Sequence, residues 1–161
     1  MSYMKITLIC VGKIKEKFYR DAIAEYEKRL SRYCQFRIVE VADEKTIESP
    51  SDAEANIIKR KEAERILANI KDDMYPIALA ILGKEYDSVK FSQHLEQLTF
   101  QSSHLCFVIG GSLGLSEDVL DKCKEQISFS KMTFPHQLMR VILTEQIYRA
   151  FRIMKNEPYH K

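Results

Sequence analysis

Leu105-Cys106-Phe107-Val108-Ile109-Gly110-Gly111-Ser112-Leu113-Gly114-Leu115 is the stretch on which the fold turns. Its first five residues are all apolar, without alternation, so a strand here must be covered on both faces. The run is too short for a helix and ends on glycines, where backbone N–H and C=O groups can approach a ligand or make a tight turn at positive φ. Ser116 then offers an N-cap, with Glu117 and Asp118 in the first turn, where the helix dipole favours anions. Strand, glycine turn and capped helix together form half of a parallel β-α-β repeat.

The same order of elements extends in both directions. Ile6 to Val11 is an apolar run closed by Gly12-Lys13, and Ile77 to Leu82 is another, closed by Gly83-Lys84. Phe36 to Val41 alternates as a strand does. Between them, Phe18, Tyr19, Ile23, Tyr26 and Leu30 recur at helical steps and predict a helix over Glu16 to Tyr33. Ser51 or Asp52 caps a second helix reaching about Ile70, and Ser88 begins a third through about Phe100. Ile127 to Phe134 is short and mixed. Pro135 then opens a long helix to about Met154, and Asn156 to Lys161 is irregular. Strands alternating with helices predict an α/β fold, a mostly parallel sheet with helices on both faces, as a single domain over residues 1–161. Ligands of such sheets bind at the carboxyl ends of strands.

The bulk numbers exclude several classes. Hydrophobic residues make up 45% and charged residues 30% of the chain, an ordinary soluble balance. No run approaches the roughly 18 apolar residues of a membrane span, and Lys5 interrupts the amino-terminal apolar stretch, so a cytoplasmic protein without a signal peptide is expected. Cys10, Cys34, Cys106 and Cys123 form no C-x-x-C pair and have no zinc-finger spacing; no metal site is expected. A formal net charge of +2 permits a polyanionic partner only if the cations gather on one face.

Four segments could carry chemistry. Gly110 to Leu115 has neither the dinucleotide fingerprint nor a Walker loop, which leaves a bound ligand or a plain tight turn. In Ser128-Phe129-Ser130-Lys131-Met132-Thr133-Phe134-Pro135-His136 hydroxyls and aromatics alternate, and Phe129 or Phe134 could flank an adenine ring, or simply pack in the core. On the last helix, His136 and Arg140 share a face, and its broad apolar surface could meet a partner subunit as well as the sheet. The carboxyl end combines Arg149, Arg152, Lys155 and Lys161 with Tyr148, Tyr159 and His160, a mixture suited to an unstacked base or to a solvated tail. Lys13, Lys15, Lys17 and Arg20 form a second basic cluster.

Taken together, Val11-Gly12-Lys13, Ala24 to Leu30, Phe107 to Ser112, Ser128 to His136, Arg140-Val141 and Pro158-Tyr159-His160-Lys161 resemble the RlmH family of SPOUT methyltransferases, in order and across the chain. The resemblance implies a deep trefoil knot in the carboxyl-terminal part and a homodimer. It implies S-adenosyl-L-methionine as methyl donor and, as substrate, ring nitrogen 3 of a pseudouridine in bacterial 23S rRNA within the ribosome. On the matching positions, Leu79, Gly110 and Phe129, Ser130, Lys131, Met132, Thr133 and Phe134 would hold the cofactor. By its pKa range His136 could act as base, or it could only position the knot loop; Arg140 could stabilise charge on the target, with Tyr159 and His160 closing over it from the partner subunit. Two positions depart from the family pattern: Ala80 follows the matched leucine where relatives carry an acid, and Leu113 stands where they carry a polar or acidic residue. These departures give the alternative reading, a non-catalytic dimeric RNA- or ribosome-binding protein with a degenerate cofactor site.

Overall fold

The structure, a computed structural model, describes residues 4–45 and 47–161. Ten elements follow in order: β1 (Met4–Val11), α1 (Lys17–Leu30), β2 (Cys34–Val41), α2 (Asp52–Leu67), β3 (Tyr75–Glu85), α3 (Ser88–Thr99), β4 (His104–Ile109), α4 (Glu117–Lys122), β5 (Glu125–Ser128) and α5 (His136–Met154). The five strands form one sheet in the order β2-β1-β4-β3-β5, and every pairing is parallel.

Strand alternation divides the core into two layers. Ile6, Leu8 and Cys10 of β1 and Leu105, Phe107 and Ile109 of β4 face α1, α3 and α5. Their neighbours Ile9, Val11, Cys106 and Val108 face α2 and α4, meeting Ala63, Ile66 and Val119. The continuous apolar runs therefore have the cause expected from the sequence, which is burial on both faces. Helix starts follow local chemistry: Ser51 and Glu54 make a reciprocal capping box on α2, and Ser116 caps α4. Pro135 sits one place before the long helix, as its N-cap, instead of inside its first turn.

The mixed segment resolves into strand and loop, and one strand boundary is corrected. β5 begins before Ile127 and ends at Ser128, so Phe129 to Phe134 is a loop. β3 does not close at Gly83-Lys84 but continues to Glu85 by way of a bulge: Leu79 and Lys84 both stand opposite Ile127, and residues 80–83 swing out between them. Gly83 permits this, because a Cβ there would lie 2.6 Å from the Ile127 carbonyl carbon. Gly83→Ala is expected to cost about 1–3 kcal/mol of overpacking strain, measured as a lower denaturant midpoint.

Candidate active site at the carboxyl edge of the sheet

The parallel register brings the carboxyl ends of β1, β4 and β3 to one edge. A cavity of about 580 Å³ opens there, between the β3 bulge, the turn after β4 and the loop from β5 to α5. Leu79, Gly110, Phe129, Ser130, Met132, Thr133 and Phe134 all line it, joined by His136 and by Met139 from α5. Lys131 alone of the expected cofactor residues does not; it is exposed.

The glycine turn owes its shape to two different constraints. Gly114 has φ of +84° and donates to the Gly111 carbonyl at 3.0 Å, a conformation that favours glycine. Gly110 keeps an ordinary φ but is crowded: a Cβ would stand 2.8 Å from the Gly114 carbonyl carbon. A Cβ on Gly111 would meet Glu62 Oε1 at 3.0 Å. Opposite, Ser128 Oγ donates to the Ser130 carbonyl at 2.9 Å, and Met132 N–H donates to Ser130 Oγ at 3.0 Å. Phe129 is fixed edge-on against Phe91, with ring centroids 6.0 Å apart.

These walls fit the methyl donor that the resemblance implies. Gly110, Gly111 and Gly114 line the cavity without side chains, and Leu79, Leu115, Ile127, Phe129 and Phe134 offer apolar faces to an adenine. Among the described residues, the lining includes no Asp, Glu, Lys or Arg; Ala80 stands on it, at the start of the bulge.

Among the described residues, His136 is the cavity's one titratable side chain apart from hydroxyls, and it is half-buried. Burial holds its imidazole below the ordinary value, the nearby Arg140 guanidinium lowers it further, and Asp43 opposes both. At neutral pH the ring is therefore mostly neutral and free to accept a proton.

Arg140 is placed differently from the sequence expectation. It is 1% exposed and does not line this cavity. Its Nη1 donates to Glu40 at 2.7 Å, and its Nη2 donates to the Val11 and Gly12 carbonyls at 3.2 and 2.9 Å. It borders a second cavity of about 590 Å³ between α1, β2 and the β1–α1 loop. Four residues of helix suffice to turn His136 and Arg140 into different spaces here.

Tyr159 and His160 are far from His136 within the chain. The 19 residues of α5 span about 28 Å, and the tail folds back at the far end. Tyr159 lies edge-on to Tyr148 at 4.9 Å and beneath Arg149 at 4.7 Å; Arg149 Nη1 donates to His160 Nδ1 at 3.1 Å. Residues that sequence reasoning missed include Glu40, Glu62, Met139 and the bulge itself. Glu40 had a signal: in Phe36 to Val41 it shares parity with Phe36 and Ile38, which pack on the core, so an acid at that parity asks for a partner. Glu62 and the bulge had none.

Comparison with known proteins agrees with this geometry. The family described as predicted SPOUT methyltransferase matches residues 4–160. Proteins named ribosomal RNA large subunit methyltransferase H are 57% identical in an Exiguobacterium species, 56% in Clostridium perfringens and 58% in Streptococcus uberis, each over 98% of this chain and 100% of the relative. A solved structure of a probable methylase family protein from Haemophilus influenzae Rd KW20 has a TM-score of 0.53 over 98% of this chain and 71% of that one, at 15% identity, a likeness of fold. With five parallel strands, a glycine-turn cavity at their carboxyl edge and full-length relatives of one kind, the chain belongs to the SPOUT methyltransferases, within the ribosomal RNA large subunit methyltransferase H family.

Proposed function

We propose that this protein transfers the methyl group of S-adenosyl-L-methionine to ring nitrogen 3 of a pseudouridine in large-subunit ribosomal RNA, on the assembled ribosome, as a cytoplasmic homodimer with a carboxyl-terminal trefoil knot. The observation that carries the reading is the carboxyl-edge cavity, whose backbone walls and neutral imidazole suit methyl transfer to a ring nitrogen. The relatives' names supply the RNA class. When bound, the donor supplies an electrophilic methyl on a sulfonium.

The chain's own residues do the rest. The walls from β3, β4 and β5 orient donor and acceptor, mainly a task of positioning. His136 takes the proton from ring nitrogen 3 as that nitrogen becomes nucleophilic. Arg140, with three bonds already committed, is assigned a positioning role: it fastens the first turn of α5 to the end of β1 and helps keep His136 neutral. Tyr159 and His160 lie at the wrong end of α5 to serve their own cavity, which supports their acting on the partner's site.

Mass spectrometry of ribosomal RNA from cells lacking the protein tests this directly. One pseudouridine should lose one methyl group; RNA methylated as in the parent strain would sink the reading. The uncharged lining also favours a second reading, an RNA-binding protein with a degenerate donor site. Calorimetry separates the two, since absence of heat at millimolar S-adenosylmethionine supports the second. On the first reading, Ala80→Glu adds to the cavity wall a carboxylate that can accept a hydrogen bond from the donor. It should tighten donor binding by about tenfold or more, as a bond to a charged group contributes roughly 1.5–3 kcal/mol.

A further inference from the structure

We propose that the β1–α1 loop and the first turn of α1 form an RNA-docking lip beside the cavity, where the Phe18 ring stacks on an unpaired base and Lys13 and Lys15 take phosphates. The inference rests on the ribosomal RNA reading and adds the part of this chain that grips the substrate.

Phe18 is the anomaly. It is 65% exposed, although α1 buries Ile23 and Leu30 against the core. Its one ring neighbour among the described residues is Tyr19, tilted at 4.4 Å. Around it, residues 13–20 hold four cations and a single acid, Glu16. Two of the cations are committed: Lys17 pairs with Asp21 at 2.7 Å, and Arg20 Nη1 donates to the Ile14 and Lys15 carbonyls at 3.0 and 2.7 Å. The Arg20 bonds rigidify the loop. Among the described residues, the ammonium groups of Lys13 and Lys15 have no ion-pair or hydrogen-bond partner, so they are exposed cations on a fixed frame. α1 also starts without a side-chain cap and without an acid in its first turn, unlike α2.

The lip is coupled to the chemistry. Gln137 Nε2 reaches the Lys13 carbonyl at 3.5 Å, and Arg140 holds the Gly12 carbonyl at 2.9 Å. A strand gripped at Lys13 is thereby registered against the first turn of α5, which carries His136. Free lysines beside a bare aromatic ring favour a nucleic acid over a second copy of the chain, because protein interfaces are depleted in lysine at their cores, whereas sequence-tolerant RNA grip combines stacking rings with backbone cations.

Co-sedimentation with large ribosomal subunits at several salt concentrations tests the lip, alongside methyl incorporation. Phe18→Ala should weaken binding about tenfold, and Phe18→Tyr should restore it. The Lys13→Gln/Lys15→Gln double variant should flatten the log-affinity against log-salt slope by about 1.4, near 0.7 for each single-strand phosphate that is no longer neutralised. Calorimetric donor affinity should be unchanged in all three, which also shows that they are folded. Wild-type affinity and slope in both Phe18→Ala and the lysine variant would overturn the proposal. So would dissociation of an oligomer by Phe18→Ala with ribosome affinity unchanged, which would give the surface to a second copy. A wild type that binds subunits but transfers no methyl group fails the reaction reading, while the binding comparison still judges the lip.

Discussion

His136→Ala is expected to lower the methyl-transfer rate about a hundredfold to ten-thousandfold, the range contributed by a positioned general base, while donor affinity stays as in the parent. The geometry places the imidazole on the cavity wall, and burial keeps it neutral where a base must be neutral. Because its folded pKa lies below the ordinary value near 6.5, the proton-accepting form persists as pH falls through that value. The acid limb of the pH–rate profile should accordingly lie below 6.5 and vanish in the alanine variant. Asp43→Asn removes the one charge that raises the ring's pKa and should move the limb lower still. Nearly intact turnover in His136→Ala would assign the ring to loop positioning instead.

Arg140→Ala is expected to destabilise the fold by about 3 kcal/mol or more, because removing one partner strands the groups that were bonded to it. The guanidinium is fully buried and ties β1, β2 and α5 together through Glu40 and two carbonyls. For a chain of this size the melting temperature should fall by roughly 6–12 °C. Arg140→Lys should recover only part of this, since one ammonium cannot span three separated acceptors. Glu40→Gln should cost far less, about 1 kcal/mol or under, because its side chain is 38% exposed and water can replace the pair. A stable Arg140→Ala protein with reduced turnover would return the residue to direct contact with the substrate.

Much of the fold was legible because its strands are buried on both faces, and unbroken apolar runs such as Leu105 to Ile109 have few other meanings. With the helical segments between them, those runs predicted the parallel sheet and both helical layers, and the general rule for such sheets pointed to their carboxyl edge. The β3 bulge was not legible: Gly83-Lys84 looks like a strand terminus, and its continuation depends on Ile127, which is distant in sequence. Within the site, the residues of the β5–α5 loop could be named from the family resemblance, but their convergence with Leu79 and Gly110 depends on strand order. Arg140 shows the limit of helical spacing. The four-residue step from His136 placed the two on one face, yet Arg140 is held away from the first cavity by Glu40 and the Val11 and Gly12 carbonyls, all at least a hundred positions away.

The thiols have a practical consequence. Cys10, Cys34 and Cys106 are buried, and burial pushes each up to about 12; half-buried Cys123 is pushed up to about 11. At neutral pH even Cys123 is ionised in only about one molecule in ten thousand, and alkylating dyes attack the thiolate. Brief maleimide treatment of the native chain is therefore expected to label it slowly, with Cys123 the first to react. A cysteine introduced at Met132, 74% exposed on the cavity rim, should take up a fluorophore ahead of the native thiols and report occupancy of the cavity in real time.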